Sequence, residues 1–324
     1  MKVLVTGGAG YIGSVVTRAL LSVGHEVRVL DTLLYGGHGV SGLLSEDRFH
    51  FMKGDLRSAP LVREALLGIE AVVHLAAIVG DPACSRQPHL AREVNHDASQ
   101  QLFELSRQQG VQRFIFASTC SNYGKMADGT HYLTEASELR PVSLYAETKV
   151  AVERALLGAA AIAGAPQVTI LRFATIFGIS PRMRFDLTVN EFTMALLVKR
   201  KVTIYGEQCW RPYLHVRDAA RAVALVLAAP AAAVAGRPFN IGDTSQNYTK
   251  AQLLELICSQ LPQSVEIDRV QKAEDPRDYR VSFERVEREI GFRITRTVDA
   301  GVRELIQAGS HGMFDDFESV RYRN

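Results

Sequence analysis

Residues 6–13 read Thr6-Gly7-Gly8-Ala9-Gly10-Tyr11-Ile12-Gly13, between the apolar run Val3–Thr6 and a helical pattern over Ser14–Val23. A glycine motif is informative where a strand feeds directly into a helix. Gly7 permits a tight turn, Gly10 lets backbone amides approach a pyrophosphate, and Gly13 lets the helix sit close to the sheet. The helix N-terminus then offers unpaired N–H groups and a partial positive charge to phosphates. A bare strand–helix turn is the alternative. Strand, spacing and helix agree, so a dinucleotide site is expected.

Outward from this motif, Glu26–Leu30, Phe49–Lys53, Ala71–Leu75, Arg113–Ala117 and Val168–Arg172 read as strands. They are apolar nearly throughout, as parallel strands buried on both faces are. Helical patterns over Pro60–Leu67, Leu90–Gln109 and Ser143–Ala163 separate them. The alternation predicts an α/β fold with a doubly wound parallel sheet. Beyond Gly178 the pattern loosens. Ser-Pro-Arg-Met-Arg within Ile179–Arg184 reads as a loop, Phe185–Lys199 as helix and Val202–Tyr205 as a short strand. Ala219–Ala229 is helical again, Pro238–Ile241 is strand-like and able to rejoin the main sheet, and Tyr248–Gln260 and Phe283–Ile290 suggest a small helical cap. At 324 residues two units are expected. We expect residues 1–177 with 208–243 to form the dinucleotide unit and 178–207 with 244–312 a smaller, discontinuous substrate unit. The polar stretch Phe314–Asn324 is expected to be a loosely held tail.

Asp31 follows the strand Val27–Leu30. A carboxylate there accepts from adenosine ribose hydroxyls and repels a ribose phosphate, which points to NAD rather than NADP. Asp55, in Gly54-Asp55-Leu56 after the third strand, is placed to accept from the adenine amino group with Leu56 against the base.

The bulk numbers narrow the class. A formal net charge of +2 gives no reason to expect nucleic acid or an acidic membrane as partner. No signal-peptide pattern precedes the first strand, and Ala159–Ala165 and Ala228–Ala235 are too short and too broken to span a bilayer. Cys84, Cys120, Cys209 and Cys258 are scattered without a Cys-x-x-Cys pair, which argues against a structural zinc or a disulfide framework. A reducing, cytoplasmic setting is expected.

Tyr145-Ala-Glu-Thr-Lys149 places a phenol and an ammonium four residues apart, on one face of a helix. The positive charge is expected to lower the phenol's pKa, so that it takes a proton from a substrate hydroxyl. Alone, Tyr-x-x-x-Lys fits many surface helices. In this chain it follows a dinucleotide motif and the stretch Phe116-Ala117-Ser118-Thr119-Cys120-Ser121-Asn122-Tyr123-Gly124 at the C-terminal end of a strand. Ligands of open α/β sheets bind at that end, and a hydroxyl there can hold a reacting oxygen beside the phenol.

Together these motifs resemble the extended short-chain dehydrogenase/reductase superfamily, and within it the nucleotide-sugar epimerase and dehydratase group. The resemblance runs from Met1 to about Phe292 and implies a Rossmann sheet with NAD as cofactor. By it, Thr119, Tyr145 and Lys149 fall on the catalytic positions. Gly7, Gly10, Tyr11, Ile12, Asp31, Thr32, Asp55 and Leu56 would line the cofactor. Leu75, Ala76 and Ala77 resemble the segment under it, Asn95 an asparagine that steadies the site, and Phe173 belongs to the segment flanking the nicotinamide. Thr175, Asn190, Tyr205, Arg211 and Arg277 would meet the substrate, with Asn190 and Arg211 at its diphosphate. Arg277 stands in Asp275-Pro276-Arg277-Asp278-Tyr279-Arg280, where the family often carries Arg-Pro-Gly-Asp, with Arg280 next in line. A homodimer built from the helices Leu90–Gln109 and Ser143–Ala163 is also implied.

Besides that C-terminal segment, the chain departs from the pattern in two further places. Sugar 4,6-dehydratases of the group carry Asp-Glu directly after the catalytic threonine, whereas this chain has Cys120 and Ser121. Neither supplies the acid–base power of a carboxylate pair. Thr175 replaces an asparagine beside the nicotinamide. Cys120 has two readings, a proton-transfer thiol or a small packing residue. Epimerisation at carbon 4 of a nucleotide-diphosphate sugar is the expected activity. The alternatives are net oxidoreduction or dehydration of such a sugar and, more distantly, a non-catalytic NAD sensor.

Overall fold

The structure, a computed structural model, describes residues 1–324 except 127–130, 271–276 and 315. Asp275 and Pro276 of the segment singled out above lie outside the described residues. The strands are β1 (Lys2–Thr6), β2 (Glu26–Asp31), β3 (Phe49–Lys53), β4 (Ala71–His74), β5 (Arg113–Thr119), β6 (Gln167–Phe173), β7 (Thr175–Phe177), β8 (Lys201–Tyr205), β9 (Trp210–His215), β10 (Arg237–Ile241), β11 (Asn247–Thr249) and β12 (Glu266–Val270). Seven of them form one sheet in the order β10-β6-β5-β4-β1-β2-β3, parallel throughout. The chain order reverses at β1, between β2 and β4. The C-terminal ends of β1 and β4 therefore flank the crevice where such sheets bind ligands.

Two cores cover the two faces, and the strand period of two divides the residues between them. Val3 and Val5 of β1 pack toward α1 (Tyr11–Ser22), while Leu4 packs with Val62 and Leu66 of α2 (Ala59–Leu66). The expected helix over Leu90–Gln109 is not continuous. A short α3 (Asp81–Arg86) precedes α4 (Pro88–Arg92), and a π turn over Glu93–Asp97 leads into α5 (Ala98–Gln108). The widened turn holds Asn95, whose amide bonds both the N–H and the C=O of Ile78, at 2.7 and 2.9 Å. A local side-chain demand thus reshapes a helix that periodicity read as regular.

The helix α6 (Leu144–Ala159) starts on Ser143, whose hydroxyl accepts from Ala146 N–H. Further on come α7 (Thr188–Met194), α8 (Val216–Ala228), α9 (Ala231–Val234), α10 (Lys250–Ser259), α11 (Glu284–Ile290) and α12 (Val298–Ser310). As expected, β10 rejoins the main sheet beside β6. A small sheet β11-β9-β7 and the parallel pair β12-β8 lie outside it. The sequence reading missed β9.

The tail is not loose. Phe314, Phe317 and Tyr322 surround the buried Phe185 ring, with centroids at 5.0, 5.9 and 5.2 Å, and Phe185 N–H donates to Tyr322 C=O at 2.9 Å. The stretch looks polar because its three aromatics are spaced among charges. Those three are enough to anchor it.

Behind the strand ends lies a buried charge network. Glu153 of α6 is 1% exposed and Arg172 of β6 4%. Arg172 Nε and Nη2 donate to the Glu153 carboxylate at 3.0 and 2.7 Å. Ser118 of β5 also donates to it, as does Asn122 at 2.8 Å. Arg172 Nη1 reaches the Tyr123 hydroxyl at 3.0 Å, and that hydroxyl donates to Asn240 of β10 at 2.7 Å. One carboxylate thus ties α6 to β5 and β6. Removing one partner strands a buried charge, which costs about 3–5 kcal/mol. We expect Glu153→Gln or Arg172→Met to lower unfolding stability by about that amount. The double variant should lose clearly less than the sum, and additive losses in denaturant unfolding would contradict the coupling.

Candidate active site

The glycine turn is built by crowding. Gly7 has φ +73°, and a Cβ on it would sit 2.7 Å from Ala76 N, while one on Gly13 would sit 2.1 Å from Gly7 O. Gly10 is the N-cap of α1 and contributes no side-chain hydrogen bond to that helix end. A negative group is favoured there. Asp31 closes the other side. Its carboxylate accepts from Ala9 N–H at 3.0 Å and Leu33 N–H at 2.8 Å. Burial pushes its pKa up, against those two bonds. A carboxylate offers about four acceptor positions, so two hydrogen bonds leave capacity for ribose hydroxyls. The cradle fits a dinucleotide.

Other expected cofactor residues fall around it in differing roles. Thr32 is exposed just beyond Asp31. The Tyr11 ring is buried, its hydroxyl donating to Gly178 C=O and accepting from Asn190. Ile12 packs against the core. Asp55 is bound by Arg57 through both oxygens, at 3.1 and 2.8 Å, and that pairing lowers its pKa. Its carboxylate is thus already engaged on the protein, and Leu56 belongs to the core. Leu75, Ala76 and Ala77 are half-buried at the end of β4. Beneath them His74 bridges the Thr6 hydroxyl at 2.7 Å and the Ser99 hydroxyl at 2.8 Å. Ser99 spends its proton on Asn95 C=O at 2.8 Å. His74 Nε2 must therefore carry the hydrogen toward Ser99, leaving Nδ1 to accept from Thr6. Burial holds the ring neutral, its pKa lowered to about 3.

At the other side of the crevice, Thr119 ends β5. Its Oγ1 accepts from Ser121 N–H at 3.1 Å and lies 2.9 Å from Ser121 Oγ. Tyr145 stands in the first turn of α6, with Lys149 one turn on. The ammonium is 2% exposed and donates to Ala117 C=O at 2.8 Å. It lies 4.6 Å from the Phe116 ring centroid and 5.9 Å from that of Tyr145. Burial lowers it to about 8, opposed by Glu153 and Cys84. The expected lowering of the phenol is not what this environment produces. Burial first, then the nearby Cys84, pushes the Tyr145 pKa up, and the charge that pulls it down is Arg184. Desolvation outweighs a single ammonium that is itself committed to a carbonyl.

Cys120 is fully buried, and its thiol donates to Arg172 C=O at 3.2 Å. Burial raises its pKa well above the ordinary thiol value. This burial favours the packing reading of the thiol over the proton-transfer one.

The expected substrate residues divide. Phe173 is buried at the end of β6, and Thr175 is half-buried at the start of β7. Arg211 on β9 donates to Trp210 C=O at 2.7 Å, its guanidinium 5.2 Å from the Tyr279 ring. Arg277 pairs with Asp81 of α3 at 3.1 Å. Tyr205 is exposed at the end of β8. Asn190 does not present its amide to a ligand. It is fully buried, accepts from Gly178 N–H at 2.9 Å and donates to Arg184 C=O at 2.8 Å and the Tyr11 hydroxyl at 3.1 Å. It staples the glycine-motif tyrosine to the loop after β7. The sequence reading missed Arg182, Arg184, Asp81 and Glu153. The signal for three of them was a pair of arginines in the loop Ile179–Arg184 and a glutamate one further helical turn past Lys149; Asp81 carried none.

Comparison with known proteins bears on the family, the fold and the cofactor. The profile described as NAD dependent epimerase/dehydratase family matches residues 3–242. An uncharacterized UDP-glucose epimerase of Bacillus subtilis is 34% identical over 253 residues, 75% of each chain. A dTDP-glucose 4,6-dehydratase of Streptomyces niveus is 30% identical over 327 residues, 95% of this chain and 92% of that one. A dTDP-glucose 4,6-dehydratase of Streptomyces venezuelae, solved with NAD bound, superposes with a TM-score of 0.85 at 28% identity, covering 97% of this chain and 98% of that one. By fold, cofactor cradle and sequence, the chain belongs to the NAD-dependent epimerase/dehydratase family.

Proposed function

We propose that this enzyme epimerises a nucleotide-diphosphate sugar at carbon 4 through a transient 4-ketone, with its NAD retained between turnovers. The observation that carries the reading is the end of β5. Tyr145, Lys149 and Thr119 are all present, but the residues after Thr119 are a buried thiol and a serine that bonds Thr119. Dehydration needs a carboxylate pair to eliminate water, and that position has none. Relatives of both kinds are similar to this chain, so the distinction rests on these two side chains.

In this reading the Tyr145 hydroxyl exchanges a proton with the sugar's 4-hydroxyl and Thr119 orients that oxygen. Lys149 and Arg184 stabilise the phenolate. Arg211 and Arg277 hold the diphosphate while the ketone turns over, Arg277 exchanging Asp81 for phosphate. When bound, NAD supplies the reversible hydride acceptor and a further positive charge beside the phenol. The crevice lies between a dinucleotide unit (1–177 with 208–243) and a substrate unit (178–207 with 244–312). A homodimer in a reducing, cytoplasmic setting completes the proposal.

Incubation with a panel of UDP- and dTDP-sugars, with NMR of the products, tests the reading. A 4-epimer is expected without added NAD, whereas a 4-keto-6-deoxy sugar or stoichiometric NADH would overturn it. Tyr145→Phe should lower turnover about 10²–10⁴-fold while NAD binding survives. Thr119→Ala should cost less, and Cys120→Ser should stay near the wild-type rate. Because Lys149 titrates at about 8, the ammonium is present below that pH and lost above it. The kcat/KM profile should therefore fall as pH rises through about 8; a rate flat to pH 10 would remove Lys149 from the mechanism. Asp31 repels a ribose phosphate, so NAD should bind more tightly than NADP, and equal affinities in a titration would refute that role.

A further inference from the structure

Arg182 is a deeply buried cation. It is 4% exposed, and among the described residues no carboxylate pairs with it. Its Nη2 donates to Arg323 C=O at 3.0 Å, its guanidinium carbon lies 4.2 Å from the Tyr35 ring centroid, and its Nε has no partner. The Asp186 carboxylate nearby is held by Arg184 through both oxygens, at 2.9 and 2.7 Å. Burial, reinforced by Arg184, lowers Arg182 to about 10. A desolvated guanidinium with an unfilled donor is unfavourable unless an anion completes it.

Its position says which anion. Tyr35 stands on the loop that leaves β2 just after Asp31. Farther along that loop, Gly39 packs so closely on the glycine motif that a Cβ would sit 2.2 Å from Ala9 O. On the other side, Ser180 donates to Tyr11 C=O at 2.7 Å, and its Oγ lies 3.0 Å from that of Ser14. The guanidinium thus stacks on the adenosine-side loop, while Ser180, two residues before Arg182, ties the same segment to the first turn of α1. A helix N-terminus alone is a general feature. The unfilled buried guanidinium points independently to the same ligand.

We propose that Arg182 is a ligand of the cofactor's diphosphate, brought over the N-terminus of α1 by the loop after β7 and held there by the C-terminal tail. The inference rests on NAD as the cofactor. A nucleotide sugar carries a diphosphate too, but Arg211 and Arg277 stand on other elements, whereas Arg182 stacks on the loop that follows Asp31. Two segments distant in sequence would then grip one diphosphate, which suits an enzyme that reuses its cofactor every turnover.

Calorimetric titration of wild type and Arg182→Met with NAD, ADP-ribose, adenosine and UDP tests this. The variant should lose about 10–100-fold in affinity for NAD and for ADP-ribose, the worth of a charge-assisted bond. Its affinities for adenosine and UDP should be unchanged. Arg182→Lys should fall between, a point charge replacing a fork, and it serves if the methionine variant fails to fold. Wild-type affinity for NAD and ADP-ribose in either variant would overturn the proposal, as would a loss confined to UDP. Wild-type protein that binds no NAD would instead refute the cofactor reading beneath it.

Discussion

The site depends on one buried carboxylate. Glu153 receives hydrogen bonds from Arg172 on β6, Ser118 on β5 and Asn122 just past the strand end. Ser118 immediately precedes Thr119, and Glu153 lies one turn beyond Lys149 on the face of α6 that Tyr145 begins. The three groups proposed to meet a substrate, Thr119, Tyr145 and Lys149, therefore share a common anchor. Their relative positions are set from behind, by a network that water does not reach. A hydrophobic replacement of similar volume could match its stability. It could not fix the same register between helix and strand end.

The same burial sets the electrostatics. Lys149 is held down to about 8 and His74 to about 3, in both cases mainly by loss of water. Tyr145 is pushed the other way for the same reason. A low-dielectric crevice makes each added charge count for more. Arg184 opposes the rise of the phenol, and the family's cofactor brings a cation to the same crevice. In the proposed mechanism such a cation would lower the phenol's pKa, so that more phenolate is present near neutral pH than with the protein chain alone.

Much of this was legible in the sequence because it depends on local pattern. Glycine spacing predicted the cradle, and apolar runs predicted the strands of the main sheet to within a residue or two. Tyr145 and Lys149 were found because a helix places residues four apart on one face. What was missed depends on contacts distant in sequence. Asn190 looks like a ligand residue by position, yet its amide is consumed by Gly178, Tyr11 and Arg184. The tail looks loose by composition but is anchored by three spaced aromatics on Phe185. Arg182 lies in a loop that no periodicity marks, and it draws notice only through its burial with no carboxylate paired to it among the described residues. The phenol's pKa was misjudged because sequence shows the neighbouring charge but not the desolvation.

Chemistry at carbon 4 alone is the central claim, and it follows from a strand end that offers hydroxyls and no carboxylate. Turnover in deuterium oxide tests it most directly, with the product read by NMR and mass spectrometry. If hydride leaves carbon 4 and returns to it, the product is the 4-epimer and carries no carbon-bound deuterium from solvent. Deuterium at carbon 5 or carbon 6, or loss of the 6-hydroxyl, would mean that the enzyme abstracts a proton from carbon, and epimerisation confined to carbon 4 would be contradicted.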